Sequence, residues 1–218
     1  MFSYVFMKIL EARPNSYDRR LLKSSGGRNF KIKEEVATEV APGSNVLEIG
    51  CGTGELARIL VTRGCTVFGF DISESMISTA QRRIEMQGLE QKVSVRQMGV
   101  ESMDALPECG YDVVVSTLVF SELTDDERRF VLEQARRVLR EGGRLVIADE
   151  VVPRSTMRKA LYSLIRWPLL AMTYLVTGTS TQGIADLVGE IVGAGFIVEK
   201  EIRSHGDSFA LVVAHTAT

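Results

Sequence analysis

Val46-Leu47-Glu48-Ile49-Gly50-Cys51-Gly52-Thr53-Gly54-Glu55-Leu56-Ala57 is an apolar run that ends in three glycines at alternate positions and passes directly into a helical pattern. The stretch predicts a strand, a tight loop and the start of a helix. Glycines at such a loop let a ligand approach the backbone, because no Cβ stands in the way. The unpaired N–H groups of the helix's first turn face that ligand.

Outward from this stretch, strands and helices alternate. After the glycine loop, Leu56, Ile59 and Leu60 share a helix face that Gly64 closes. A strand at Thr66–Phe70 ends in Asp71, and Ser73 is placed to cap a helix carrying Met76, Ala80 and Ile84. Further strands are expected at Lys92–Gln97, at the Val-rich Tyr111–Ser116 and at Arg144–Asp149. Thr124-Asp125-Asp126-Glu127 has capping-box spacing and opens a helix through Val131, Ala135, Val138 and Leu139, closed by Gly142-Gly143. Such alternation implies a parallel sheet with right-handed crossovers. Upstream, Ile32, Val36 and Val40 recur every four residues and predict a helix ending before Pro42-Gly43.

Downstream, Ala160 to Thr177 is strongly apolar. Its length is marginal for a membrane span, and Arg166 and Pro168 lie near its middle. A buried or dimer-forming helix pair is the favoured reading of 153–178, ahead of a hydrophobic lid or membrane-surface element. Thr181 to Ala194 is expected as the last helix. Phe196–Arg203 and Ser208–Ala214, separated by Ser204-His205-Gly206-Asp207, read as a terminal hairpin. The expected fold is α/β, Rossmann-like and doubly wound, in one domain. Its parts are an N-terminal helical or lid segment (1–43), a ligand-binding core (44–150), an apolar helical insertion (151–180), and the last helix with the hairpin (181–218).

With 218 residues and a net charge of −2, the chain fits one domain, and nothing global points to nucleic acid. Cys51, Cys65 and Cys109 lack metal-type spacing, so they read as reduced thiols in a cytoplasmic protein, and no metal site is expected. Met1 to Leu10 lacks a basic flank and a cleavage site and reads as an amphipathic helix or lid rather than a signal peptide. Arg13 to Lys33 tilts basic, which fits a solvated face first, and then a patch for an acidic partner or an anionic membrane.

Three ligands compete for the glycine loop. A P-loop needs Lys-Ser or Lys-Thr after the last glycine, where Glu55-Leu56 stands. A dinucleotide fingerprint wants Gly or Ala at Glu55, and a carboxylate there faces the pyrophosphate. S-adenosylmethionine (SAM) has no phosphates. Its methionine end suits the backbone of Gly50, Cys51, Gly52 and Gly54, with the Glu48 carboxylate facing its ammonium. Asp71 is placed for the ribose hydroxyls, and Ile72 and Met76 for the adenine.

Val46–Ala57, Gly69-Phe70-Asp71-Ile72-Ser73, Tyr111-Asp112-Val113-Val114-Val115-Ser116 and Leu139–Leu145 together resemble the ordered motifs of class I SAM-dependent methyltransferases. The resemblance covers roughly 40–150. It implies a seven-stranded sheet in which only the last strand is antiparallel. More narrowly, the chain is similar to the branch of ubiquinone/menaquinone C-methyltransferases. Tyr17-Asp18-Arg19, Ser116–Leu123 and Tyr174–Thr181 resemble the proteins labelled corrinoid-protein-associated methyltransferases. Many family members carry an Asp after the third strand, near the adenine amino group. Here Val100 occupies that place and Glu101 follows, so either Glu101 or the Val100 backbone is expected to hold the adenine. Ser116 completes the expected cofactor set.

Methyl transfer from a sulfonium is an in-line displacement that needs alignment more than a fixed nucleophile. The expected function is transfer to a small apolar metabolite, a lipid or a protein side chain, with a non-catalytic SAM-binding scaffold as the alternative. Acceptor residues must lie at the carboxyl ends of the parallel strands. Thr117, Phe120 and Ser121 qualify there, and Tyr162, Trp167 and Tyr174 offer a pocket wall on the apolar insertion. His205, Glu122 and Tyr17 are the candidates for catalysis, with a cap for the following helix as the plainer role of Glu122. Asp149 and Glu150 follow the fifth strand at the same edge. The acceptor stays unidentified, and a protein partner or a second copy of the chain is expected to dock through 153–178.

Overall fold

The computed structural model describes residues 28–158, 162 and 183–216. The expectations for Met1–Leu10, Tyr17, Trp167, Tyr174 and most of 153–178 lie outside the described residues.

Helix α1 (Arg28–Thr38) buries Ile32 and Val36, as its four-residue spacing predicts, with Val40 just beyond its end. The chain then alternates: β1 (Asn45–Ile49), α2 (Glu55–Thr62), β2 (Thr66–Asp71), α3 (Glu74–Gln87) and β3 (Val93–Gln97). After a 3-10 turn (Val100–Ala105) come β4 (Tyr111–Thr117), a second 3-10 turn (Phe120–Glu122), α4 (Asp125–Val138) and β5 (Leu139–Glu150). Helix α5 (Leu187–Gly193), β6 (Phe196–Ser204) and β7 (Phe209–Thr216) complete the described elements.

The seven strands form one sheet in the order β3-β2-β1-β4-β5-β7-β6. Pairs from β3 to β5 are parallel, and β7 runs against both β5 and β6. The doubly wound sheet with one reversed strand is therefore what folds. Strand side chains alternate between faces. Leu47, Ile49, Val114, Leu145 and Ile147 pack toward α4 and α5, whereas Val46, Val113, Val115 and Val146 pack toward α1 and α2. Period two places Glu48 on the second face. Strand order reverses between β1 and β4, and the crevice beyond their carboxyl ends is where open α/β sheets bind ligands.

Two boundaries correct the sequence reading. The last helix begins at Leu187 rather than Thr181. Asp186 caps it by accepting from Gly189 N–H at 2.9 Å, and Ile184 is drawn off into a parallel bridge with Val151. Strand β5 begins at Leu139, not Arg144. Leu139 leaves helical geometry and pairs with Tyr111, and a register irregularity follows before Val113 meets Arg144.

The Val151–Ile184 bridge has a topological meaning. Ile184 N–H donates to Glu150 O at 3.0 Å, and Val152 N–H donates to Ile184 O at 2.9 Å. Residues on the two sides of the apolar run in sequence, 150–152 and 184, therefore lie side by side at the carboxyl end of β5. Among the described residues no helix is long and apolar enough to cross a membrane.

Candidate cofactor and acceptor site

The glycine loop is held by its neighbours. Cys51 N–H donates to Phe70 O at 2.9 Å, tying the loop to β2. Asp71, the last residue of β2, accepts from Gly52 N–H through Oδ2 and from Ser73 N–H through Oδ1, each at 2.9 Å. One carboxylate thus fixes both the loop after β1 and the turn into α3, and each oxygen keeps a further acceptor position. Gly50 has φ +68, and a methyl group there would overlap Val119 Cγ2. The loop backbone therefore passes directly against Val119. Leu118, the residue before it, adopts φ +60, a left-handed conformation that costs a branched residue energy and marks the end of β4 as constrained. Gly69 answers a similar crowding, since a Cβ there would stand 2.8 Å from Cys51 Cβ.

Glu48 is the electrostatic centre of the loop. It is 1% exposed, and its Oε2 has no hydrogen-bond partner among the described residues. Burial pushes its carboxyl up to about 8. Asp71 adds to the rise, and the Lys33 charge and the Ala57 N–H in the first turn of α2 oppose it. A buried acid with a free oxygen beside a helix N-terminus is suited to a cationic ligand group, which would return it to the charged form. Cys51 beside it is buried, and that burial, with Glu48 and Asp71 nearby, holds its thiol in the protonated form.

The other expected residues fall into two groups. Ile72 is 72% exposed, an apolar surface immediately beyond Asp71, while Met76 is 3% exposed and supports the turn from within. Val100 opens the 3-10 turn and packs on the core, and the Glu101 carboxylate folds back over the Cα of Gly99, against which a Cβ would collide. At the end of β4, Ser116 is fully buried and its hydroxyl lacks a partner among the described residues. Thr117 and Ser121 are nearly buried, and Phe120 is wholly so, packed in the core. Phe120 therefore offers no wall to an acceptor, because its ring fills the space under α4. Tyr162 approaches Gly183, whose missing side chain makes room for the phenol oxygen. Helix α4 is capped reciprocally by Thr124 and Glu127, so Glu122, exposed in the 3-10 turn, is not its cap. His205 is exposed at a turn with φ +54. Its Nδ1 lies 2.8 Å from Ser204 Oγ, and its ring meets Phe209 edge-on.

Sequence reasoning missed Val119 and Lys33. Lys33 lies one turn before the buried Ala37, and a lysine on the buried side of an amphipathic helix was the available signal. Asp149 lies at the carboxyl end of β5, as the sequence reading expected. That side chain is fully buried, its Oδ2 lacks a partner among the described residues, and burial pushes its carboxyl up to about 6.

These features fit SAM. An orphaned buried acid faces the first turn of α2, the loop at Gly52 opens to free space, and an exposed isoleucine follows the carboxylate at the end of β2. A family profile described as "Methyltransferase domain" matches residues 46–143. A phosphatidylethanolamine N-methyltransferase of Cereibacter sphaeroides is 35% identical over 159 residues, covering 70% of this chain and 76% of the relative. The chain belongs to the class I SAM-dependent methyltransferases. The methyltransferase spans only about half, 55%, of an uncharacterised Bacillus cereus methyltransferase to which it is 33% identical over 56% of its own length.

Solved structures agree on the fold. A SAM-dependent methyltransferase of Methanosarcina mazei superposes with a TM-score of 0.63 at 20% identity, covering 82% of this methyltransferase and 94% of its own chain. The putative methyltransferase of Haloferax volcanii, solved in complex with the Trm112 activator, gives 0.71 at 16% identity and covers 96% and 98%.

Proposed function

We propose that this methyltransferase transfers the SAM methyl group to the amino group of an ethanolamine-type phospholipid. The observation that carries this reading is the relative of that printed activity. Its 159 aligned residues are more than the stretch 46–143 that the methyltransferase-domain profile matches. Two sequence features support it. The apolar run Ala160–Thr177 suits acyl chains, and the basic stretch Arg13–Lys33 suits an anionic bilayer surface.

In this reading the backbone of Gly50, Cys51, Gly52 and Gly54 lies along the methionine end of SAM. Glu48 receives its ammonium, Asp71 the ribose hydroxyls and Ile72 the adenine face. When bound, SAM supplies an electrophilic methyl carbon, and the protein's part is to align it with the acceptor nitrogen and exclude water. Because the acceptor carries its own nucleophile, no covalent intermediate on the protein is needed.

The test is transfer of labelled methyl from SAM to vesicles of phosphatidylethanolamine and phosphatidylglycerol, with pure phosphatidylglycerol vesicles and cell extract as parallel arms. Label in the organic phase, dependent on the ethanolamine headgroup, is the expected result. Label confined to protein or to water-soluble metabolites would overturn the lipid reading.

A further inference from the structure

The carboxyl edge of β4 and β5 carries two buried polar atoms that the fold itself does not use. Ser116, near the end of β4, is fully buried and its Oγ has no partner among the described residues. Asp149, near the end of β5, is fully buried and its Oδ2 is likewise without one. Ser116 is paired in register with Ile147, and Asp149 lies two residues further along β5, so both side chains project from the same face of the sheet. Ser116 is also paired with Ile49, the residue before the glycine loop. The two atoms thus sit one and two strands away from the start of that loop, at the edge where the acceptor must enter.

Leaving a carboxylate oxygen buried and unmatched is costly, and native folds rarely tolerate it without a reason. The other half of the Asp149 carboxyl is well used: Oδ1 accepts from Glu150 N–H at 2.7 Å. Ser121 also supports the charged form through its hydroxyl and N–H. The Glu150 N–H thus anchors Oδ1, while Oδ2 has no hydrogen bond among the described residues and keeps its acceptor positions for an incoming donor.

We propose that Asp149 Oδ2, with Ser116 Oγ on the same face of the sheet, receives the protonated amine of the acceptor and takes its proton before methyl transfer. This rests on the amine-acceptor reading above and names the residue that recognises the amine. The proton passes from the acceptor nitrogen to Oδ2. The freed lone pair forms the new nitrogen–carbon bond as the bond from methyl carbon to sulfonium sulfur breaks. That bond's electron pair stays on sulfur, giving a thioether, and the product nitrogen carries the positive charge. Asp149 returns its proton to solvent as the product leaves. Burial, opposed by Ser121 and by the Glu150 N–H, pushes Asp149 up to about 6, so it is ionised at neutral pH yet more basic than a surface carboxylate.

Two variants test the assignment, in labelled-methyl transfer to ethanolamine-headgroup vesicles with SAM affinity measured by calorimetry. Asp149→Asn keeps the shape and removes the charge and the proton-accepting oxygen. It is expected to lower kcat about 100-fold and raise the acceptor KM, with the SAM Kd within about threefold of wild type. Ser121→Ala removes an internal support of Asp149 but leaves Oδ2 in place, and is expected to cost less than about fivefold. Wild-type rates for Asp149→Asn, or equal losses in both variants with matching losses of thermal stability, would overturn the assignment and make Asp149 a structural pin. A wild-type enzyme that transfers no label to these vesicles would instead remove the acceptor reading, and the inference with it.

Discussion

At the residue scale, the cofactor site turns on two carboxylates with opposite situations. Asp71 is half-buried and engaged with two backbone N–H groups, so it works before any ligand arrives. Asp71→Ala should free both donors, loosen the loop by about 1–3 kcal/mol and weaken SAM binding at least tenfold. Denaturant titration and calorimetry read the two effects separately. Glu48 is buried, neutral up to about 8 in the ligand-free chain, and without a partner for Oε2 among the described residues. A ligand ammonium would lower that value, so SAM binding near pH 7 should release protons. Calorimetry in buffers of different ionisation enthalpy would show this as a buffer-dependent heat, and Glu48→Gln should abolish the dependence while reducing affinity. Both residues were legible in the sequence, because a carboxylate at or near the end of a strand beside a glycine loop has few structural uses. Lys33, Val119 and the open oxygen of Asp149 were not. Their roles come from α1 lying against α2 and β5, from the loop after β4 crossing the glycine loop, and from burial at a strand edge, none of which has a local pattern.

At the element scale, the loops after β1 and β4 are fitted to each other. The contact between Gly50 and Val119 is tight enough that Gly50→Ala must displace one of them, on top of the strain of φ +68. The expected cost is about 1–3 kcal/mol together with a marked loss of SAM affinity. Adding Val119→Ala should restore part of the stability, because it removes the methyl that collides, while the backbone strain remains. Equal stability of Gly50→Ala with and without Val119→Ala, read from denaturant midpoints, would show that the collision is relieved in some other way. The elements themselves were readable where one face repeats, as in α1, α3 and the Val-rich β4. The capping box at Thr124 and Glu127 was readable as well. The reading failed where long-range pairing overrode local pattern. Ile184 belongs to an apolar sequence that could continue a helix, yet its backbone is claimed by Val151 and the helix waits for the cap at Asp186. Leu139 likewise completes a helical stripe in sequence but becomes the first residue of β5 through pairing with Tyr111.

At the scale of the whole molecule, the two buried acids set the pH response of the ligand-free chain. Burial raises Glu48 and Asp149 above their unfolded values. Their contribution to stability is therefore fully present below about pH 4 and is lost as pH rises through about 6 and then about 8. Asp207 and Glu127 act in the other sense. The Arg154 N–H lowers the first and the Thr124 N–H the second, so their contribution is present in neutral solution and is lost as pH falls through the acid range. Thermal unfolding without SAM should thus peak in mildly acid buffer and decline toward pH 8. Glu48→Gln should flatten the alkaline side, and saturating SAM should do so too by supplying the missing counter-charge. A Tm that rises steadily from pH 5 to 8 would contradict this. The parallel bridge between Val151 and Ile184 has a consequence on a longer timescale. A segment whose two feet stand side by side can be lengthened, shortened or rewritten at little cost to the rest, since loop closure changes by only about 0.6 kcal/mol per doubling of length. The stretch between these two feet is thus a place where the chain can change its length like an interchangeable tool head, while the sheet that carries the glycine loop keeps its register.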